Sequence, residues 1–386
     1  MDSKFPSKRL CFYNVGILTF SLQDLKALEG QQSIDPEVLG RLEKDFKRFS
    51  FVLSIQGYCH DHKDFITTTR ERIYEIFKEN SLNEDGDSLL NTLKWLVFQE
   101  YLGGRGSVEI GCITCGTRHT FKRQTTDHKD PQNNFLTCGC GTKIYITDCF
   151  ELHTLVDEIL GAGGIESFVM SAFEVVLMLS MFRFLIEADK WEWLPKILFM
   201  KDGPLALFSR LDDFVFKVVR VFLQFLYDKS LKDGVGYANW IGLDKSGAFV
   251  EHLQSLEHQI PEESLILPDS TYIKTYITGD TNSTFVHTTY FGLKMFVKSD
   301  RAFVLDVAIP FGLHKQYPNY LENPHIEDFL TLKNILEILK SLRCDLYQQS
   351  FIPIVMLNKL VSISNAPGQR ILKSFALEVL NKLTSN

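Results

Sequence analysis

Four cysteines form the clearest chemical motif in this chain of 386 residues. They lie in two close pairs, each followed by a glycine: Cys112 and Cys115, then Cys138 and Cys140. Tetrahedral zinc takes four thiolates from two facing turns, and a glycine lets each turn direct its backbone amides at the sulfurs. The spacing therefore favours a closed, structural zinc ribbon over residues 106–145, with four free thiols as the alternative.

A second group of residues has the chemistry of a divalent-cation site. Asp148 and Asp202 each follow an apolar run, Glu174 lies in a nearly all-apolar segment, and His325 stands near the start of a later helix. Nucleases that use two metal ions need several hard oxygen ligands from different elements. A nearby histidine can bind the metal or carry a proton. The alternative is that these acids make structural hydrogen bonds, for example as helix caps.

The strand that should carry Asp202 is the short apolar run at residues 197–200. It is broken by Gly203 and Pro204, a pair typical of a turn. A carboxylate just past the end of a buried strand stands where open α/β sheets bind their ligands. Since proline suits the first position of a helix, we expect a helix to begin at Pro204.

The other two acids require a second strand and a long helix. Residues 143–148 alternate in the manner of a strand that ends in Asp148. The apolar segment 168–188 contains Glu174 and Arg183, and charges inside such a segment favour a core helix over a membrane span.

Residues 1–105 have apolar residues at helical spacing, notably over 36–55, 67–77 and 89–101. We therefore expect a mostly helical N-terminal module with a scaffold or docking role. One early segment, 12–22, fits a strand or a short buried helix equally well.

The rest of the chain, residues 146–386, mixes both patterns. We expect an amphipathic helix at 214–227 with Lys217 and Arg220 facing solvent, and a strand at 240–243. Alternation over 271–307 predicts two or three further strands, and helices follow to the C-terminus.

The bulk properties limit the classes of function. The formal net charge is −7, so binding to nucleic acid would need a local basic patch or the help of a partner. No apolar signal segment follows the polar N-terminus, and most of the other cysteines are scattered. This pattern predicts a reduced, cytoplasmic protein with no membrane association.

The order of short motifs over residues 140–345 resembles that of the NurA nuclease family, in particular members with a zinc ribbon before the nuclease domain. The motifs are Thr147-Asp148, Phe173-Glu174, the KDGPLA of 201–206, the IGLDKSG of 241–247, the TYFG of 289–292, Tyr317-Pro318 and Pro324-His325. The resemblance implies an α/β, RNase H-like fold, with a mixed sheet flanked by helices, over a nuclease domain at 146–386.

The same resemblance implies the roles of individual residues. Catalytic Mn²⁺ or Mg²⁺ is expected to bind to Asp148, Glu174, Asp202 and His325. A fifth catalytic residue, Lys245, lies in the family's Gly-x-x-Lys strand. Asp306, an acid on a later strand, is a further candidate. Family members cut DNA as endo- and exonucleases and dimerise. They act with HerA, a hexameric ATP-driven translocase, in DNA repair or anti-phage defence.

These implications lead to one main hypothesis and one alternative. The main hypothesis is a metal-dependent deoxyribonuclease that forms a homodimer and works with a HerA-type ATPase. The alternative is a non-catalytic adaptor of the translocase with a decayed metal site, since Cys149 and Phe150 stand where the family has Gly-Ser after its first aspartate. In either case we expect the ATPase to contact the N-terminal module or the C-terminal helices.

Overall fold

The chain has a mixed α/β fold built on a five-stranded mixed sheet that is flanked by helices. A computed structural model describes residues 8–23, 45–59, 63–83, 86–123, 134–207, 209, 214–279, 290–299, 301–310, 323–344, 350–362 and 374. Four smaller two-stranded sheets accompany the central one in this part of the chain. The mixed sheet with flanking helices is as predicted, whereas the RNase H-like arrangement stays a prediction.

The central sheet consists of five strands: β7 (Leu198–Asp202), β8 (Asn239–Asp244), β9 (Ser264–Ile266), β10 (Gly292–Lys298) and β11 (Ala302–Ala308). Their order across the sheet is β7-β8-β11-β10-β9. β7 runs parallel to β8, and every other neighbouring pair is antiparallel. The strands at 197–200 and 240–243, and the strand pair within 292–307, are therefore confirmed.

Apolar side chains cover both faces of this sheet, because β10 and β11 are buried at every residue. Alternate residues of the two strands join different clusters. Met295 and Leu305 belong to the large core, while Phe296 and Val304 belong to a smaller one. This is the period-two alternation of a strand that is covered on each side.

Two helices provide much of that cover. The first is α3 (Glu166–Glu187), whose Phe182 stacks on Phe199 of β7 at 4.1 Å and on Trp240 of β8 at 5.0 Å, measured between ring centroids. The second is α5 (Ala248–Leu256), which packs against β11. Between them in sequence lies α4 (Val221–Asp233), entered through a π-helical turn at Phe216–Arg220.

The predicted core helix is thus confirmed, and it carries Glu174. In the described part of the chain, one helical stretch, Gly163–Glu187, is long and apolar enough to cross a membrane, but 56% of its most apolar window is buried inside the protein. Phe173 of this helix contacts Phe49, Phe51 and Phe77 from the N-terminal part of the chain. These are the features of a core helix.

The prediction of a mostly helical N-terminal module is wrong in part. Two antiparallel strands, β1 (Arg9–Leu18) and β2 (Phe46–Gln56), precede the helices α1 (Phe65–Glu79) and α2 (Leu89–Val97). The buried residues of β2 alternate strictly, which makes its period two rather than 3.6. The expected helices at 67–77 and 89–101 are confirmed, the latter ending at Val97, and Asp64 and Ser88 cap the two N-termini. The predicted domain boundaries stay a prediction.

The region of the predicted zinc ribbon contains two hairpins. One pairs β3 (Ser107–Gly111) with β4 (Arg118–Lys122), and the other pairs β5 (Phe135–Thr137) with β6 (Lys143–Tyr145). The expected strand ending in Asp148 is wrong, because β6 ends at Tyr145 and a 3₁₀ helix, Ile146–Phe150, follows.

The expected helix from Pro204 is also wrong. Residues 203–207 contain no helical turn; Gly203 bridges to Leu243 and Ala206 bridges to Tyr290. Backbone groups that bond to neighbouring strands are not free to form a helix.

Two further expectations fail after the sheet begins. Residues 270–278 are helical, as α6 (Ser270–Tyr272) and a π-helical turn (Ile273–Thr278), rather than a strand. Arg220 is buried instead of facing solvent, and its guanidinium donates to the backbone carbonyl of Tyr290. Helices near the C-terminus are confirmed as α7 (Leu332–Ser341) and α8 (Ile352–Val361), separated by the short pair β12 (Arg343–Cys344) and β13 (Ser350–Phe351).

Candidate functional site

The four cysteines of the predicted zinc site lie together, one pair in the turn between β3 and β4 and the other in the turn between β5 and β6. The Sγ atoms of Cys112 and Cys140 are 3.6 Å apart, and those of Cys115 and Cys138 are 3.4 Å apart. All four lie within 4.8 Å of one another. Thiolates around tetrahedral zinc are about 3.8 Å apart for Zn–S bonds of about 2.3 Å, so this cluster fits a metal ion such as zinc.

Glycine shapes both cysteine turns. Gly116 and Gly141 adopt left-handed backbone conformations, with φ of +72° and +88°. Their amides donate to the carbonyls of Cys112 and Cys138 at 2.9 and 2.8 Å. Each turn is therefore closed by a residue for which a positive φ costs little.

Two threonines that were not predicted from the sequence complete the same turns. The hydroxyl of Thr117 is hydrogen-bonded to the sulfur of Cys115 at 3.2 Å, and that of Thr142 to Cys140 at 3.3 Å. These hydroxyls lower the pKa of both thiols, which favours the thiolate form that binds metal. The available signal was the repeated Cys-Gly-Thr sequence at 115–117 and 140–142.

Glu174 and Asp202, two of the predicted cation ligands, lie on either side of one lysine. The Nζ atom of Lys201 is 2.9 Å from Oε2 of Glu174 and donates to the backbone carbonyl of Asp202 at 3.3 Å. Lys201 is buried, whereas the two acidic side chains are 24% and 28% exposed. Both acids are partly open to solvent, and Lys201 connects the Glu174 carboxylate to the backbone at the carboxyl end of β7.

The carboxylate of Asp202 is held by two further elements. Its Oδ2 accepts from Nζ of Lys245, just beyond β8, at 2.8 Å, and from Nδ2 of Asn358 in α8 at 3.1 Å. Lys245 was predicted to belong to the site. Asn358 was not, because it lies 156 residues away in a helix without a recognisable motif.

Each of the two acids keeps one oxygen that is free to accept a ligand. Within the described ranges, neither Oδ1 of Asp202 nor Oε1 of Glu174 has a hydrogen-bond partner. The same ranges contain one group of three or more His, Cys, Asp or Glu side chains close enough for a single metal ion, and that group is the cysteine cluster. Among the described residues, the four predicted cation ligands therefore do not gather around one ion position.

Asp148 is engaged elsewhere. Its Oδ1 accepts from Nε of Arg70 at 2.9 Å, and its Oδ2 accepts from the second arm of that guanidinium and from the amide of Tyr145 at 2.8 Å. Both side chains of the ion pair are almost fully buried. This pair joins α1 to the 3₁₀ helix after β6, and both carboxylate oxygens accept hydrogen bonds inside the protein.

His325 caps the N-terminus of a 3₁₀ helix, Ile326–Asp328, as its predicted position at a loop–helix junction implies. Its ring is exposed, and Nε2 is 3.4 Å from Nδ2 of Asn323. Its backbone amide donates to Oδ2 of Asp328 at 2.8 Å. Among its described contacts there is none to Glu174 or Asp202. The Tyr317-Pro318 motif lies outside the described residues.

A buried cluster of three charged residues lies on the central strands of the sheet. Nζ of Lys294 on β10 is 3.0 Å from Oδ2 of Asp306 on β11 and 2.8 Å from Oδ2 of Asp244 at the end of β8. Oδ2 of Asp306 also accepts from the amide of Leu205 at 3.0 Å. Asp306, the further candidate ligand, is therefore an internal anchor for the segment that follows β7.

Burial and neighbouring charges act in opposite directions on the pKa values of Lys294 and Asp306. Burial alone would lower the pKa of Lys294, but the two carboxylates outweigh it and raise that pKa above its usual range. Burial raises the pKa of Asp306, against the opposing effect of the lysine. In the sequence, the signal for this cluster is a lysine inside the apolar run GLKMFVK, which was not predicted to carry a buried charge.

Comparison with known proteins does not add an identification. No protein-family model matches the chain, and no curated protein or solved structure matches it. The likeness to the NurA family therefore rests on the order of short motifs alone, and it stays a prediction.

Proposed function

We propose that the chain is a divalent-metal-dependent DNA nuclease that works in the cytoplasm with a HerA-type hexameric ATPase. The observation that carries this proposal is the partly exposed Asp202 carboxylate at the carboxyl end of β7, beside Lys245, with Glu174 paired to the preceding Lys201. Open α/β sheets bind their ligands at that edge. The order of motifs that resembles the NurA family supports the same function.

The chain's own residues have distinct roles in this proposal. Glu174 and Asp202 hold Mn²⁺ or Mg²⁺ through carboxylate oxygens, the ligands that these hard cations prefer. Such an ion, when bound, activates a water molecule and stabilises the leaving oxygen. Lys245, 35% exposed beside Asp202, supplies a positive charge for a DNA phosphate. Because the net charge is −7, the ATPase is needed to bring DNA to the site.

The test is cleavage of linear duplex DNA by the purified chain with Mn²⁺, with and without the ATPase. We expect Asp202→Asn to abolish cutting, because the amide keeps the shape of the side chain but loses the charge that binds the cation. Glu192→Gln, which changes an exposed acid on the 3₁₀ helix before β7, is the matched control. Intact DNA under every condition, or equal cutting by Asp202→Asn and the parent, would contradict the proposal.

A second candidate function is a non-catalytic adaptor of the same ATPase. The ion pairs favour it: Glu174 and Asp202 each contact a lysine ammonium, and Asp148 is committed to Arg70. Calorimetric titration separates the two functions. An adaptor retains zinc on the cysteines and shows no further binding of Mn²⁺, whereas the nuclease binds Mn²⁺ and loses that binding in Asp202→Asn.

The proposal includes three structural components. They are an RNase H-like arrangement around the central sheet, zinc on the cysteine cluster, and a homodimer. Light scattering of the zinc-loaded protein tests the dimer, and a HerA-type ATPase gene beside this one would support the partner. The neighbouring genes would also distinguish a role in DNA repair from a role in anti-phage defence.

A further inference from the structure

A tight turn at residues 157–161 presents two aliphatic side chains to solvent. Ile159 and Leu160 are each 80% exposed, the highest values among the large hydrophobic residues that the structure describes. Exposed single aliphatic residues are common, but two adjacent ones on an ordered turn form an apolar projection whose burial would be favourable.

The turn holds its shape without a partner. Oδ1 of Asp157 accepts from the amides of both Ile159 and Leu160 at 2.8 Å. Asp157 and Gly161 also exchange two backbone hydrogen bonds, at 2.9 and 3.1 Å. A binding surface that is already ordered loses little conformational entropy when it associates.

The turn is also anchored to the rest of the fold. The carboxylate of Glu158 accepts from the amides of Phe65 and Ile66, at the start of α1, at 2.8 and 2.9 Å. The amide of Ala162 donates to the carbonyl of Ile55 in β2 at 2.7 Å. The two aliphatic side chains are thus fixed relative to α1 and β2 and still point away from the core.

The border of this projection is acidic. Asp157 and Glu158 are exposed, and their carboxylates accept from backbone amides and form no ion pair among the described residues. A symmetric contact with a second copy would bring the same acids face to face, and an anionic membrane would repel them. Charge complementarity therefore favours a different protein with a basic border.

We propose that Ile159 and Leu160 insert into an apolar pocket, bordered by lysine or arginine, on the ATPase partner. This inference rests on the proposed function, because that function supplies the partner. It places the contact beside the N-terminal hairpin and α1 and away from Asp202.

The experiment measures binding of the purified full-length chain to a HerA-type ATPase hexamer by calorimetry. We expect the double variant Ile159→Ser/Leu160→Ser to bind about thirtyfold more weakly or worse, as for a central apolar contact of an interface. Leu231→Ser is the control, since Leu231 is 66% exposed on α4. Urea unfolding of the double variant should match that of the parent, because exposed side chains contribute little to the core.

Each outcome has a defined meaning. Weaker binding by the double variant alone, with affinity that falls as salt rises, supports the proposal. Equal binding by the parent and the double variant overturns the docking surface and leaves the ATPase as partner. Absence of binding by the parent overturns both the partner and the docking surface. Self-association, or binding to anionic vesicles, that depends on Ile159 and Leu160 also overturns the proposal, and DNA cleavage is scored separately.

Discussion

Lys294 and Asp306 are direct partners across β10 and β11, and their charged groups meet inside the protein at 3.0 Å. The carboxylate also binds the amide of Leu205, and the ammonium also binds Asp244. One buried ion pair thus holds both the segment after β7 and the end of β8. Asp202 and Lys245 of the candidate site lie next to these two segments.

Replacing the lysine should be costly. Lys294→Met leaves two buried carboxylates without a counter-charge, so we expect the free energy of unfolding to fall by about 3–5 kcal/mol. Lys340→Met is the control, because its pair with Glu263 is more than half exposed and such pairs contribute about 1 kcal/mol or less. Urea unfolding measures both. Similar losses in the two variants would mean that the buried pair contributes no more than a surface pair.

Stability also separates the roles of two predicted ligands. Asp148→Ala should lower the free energy of unfolding by about 3–5 kcal/mol, because Arg70 is then buried without its partner. Asp202→Ala should cost about 1 kcal/mol or less, since its pair with Lys245 is partly exposed. Thermal and urea unfolding give the comparison. The reverse order would assign the structural role to Asp202.

The cysteine cluster should bind one zinc ion per chain. Cys115→Ser is expected to remove that zinc, whereas Cys59→Ser, which changes an exposed thiol outside the cluster, should retain it. Thr117→Val should weaken zinc binding by about 10–100-fold, the usual effect of removing a group that supports a metal ligand. Competition with a chromogenic chelator measures these affinities. Unchanged affinity in Thr117→Val would show that its hydroxyl has no effect on the metal.

The turn at 157–161 should depend on pH. The amides of Leu160 and Ile159 lower the pKa of Asp157. A carboxylate with a lowered folded-state pKa stabilises the fold above its unfolded pKa of about 3.9, and this contribution is lost as the pH falls through the folded value. Hydrogen-exchange protection of the Ile159 and Leu160 amides should therefore fall below about pH 4.

The amide of Ala188 at the end of α3 is the control for this measurement, because its acceptor is the backbone carbonyl of Phe184 rather than a carboxylate. Its protection should not follow the same titration. Asp157→Asn should abolish the pH dependence at Ile159 and Leu160. If the parent and this variant lose protection together as the pH falls, the carboxylate does not hold the turn.

The strands and helices around Asp202 could be predicted because their apolar residues form unbroken runs with clear ends. Residues 197–200 are closed by Gly203 and Pro204, and they form β7 as expected. The cysteine cluster could also be predicted, because the spacing of the cysteines within each pair is a local feature of the sequence. Such signals need no knowledge of distant contacts.

The failures have the opposite cause. Whether Asp148 binds a metal ion or pairs with Arg70 depends on a residue 78 positions earlier. The contact of Asn358 with Asp202 likewise joins distant segments. In β2, the apolar residues were mistaken for a helical pattern, because Phe46, Phe49 and Val52 lie three apart while the buried residues alternate. Contacts between residues that are far apart in the sequence cannot be predicted from the local pattern around either residue.

The contact between α8 and Asp202 has a consequence for synthesis. Asp202 leaves the ribosome 156 residues before Asn358, its amide partner. At about 5–20 residues per second, the interval lasts roughly ten to thirty seconds. During that time the nascent chain has Asp202 and Lys245 but not the asparagine that donates to the Asp202 carboxylate. A message truncated before codon 352 would therefore yield a polypeptide in which Asp202 has no hydrogen bond from Asn358.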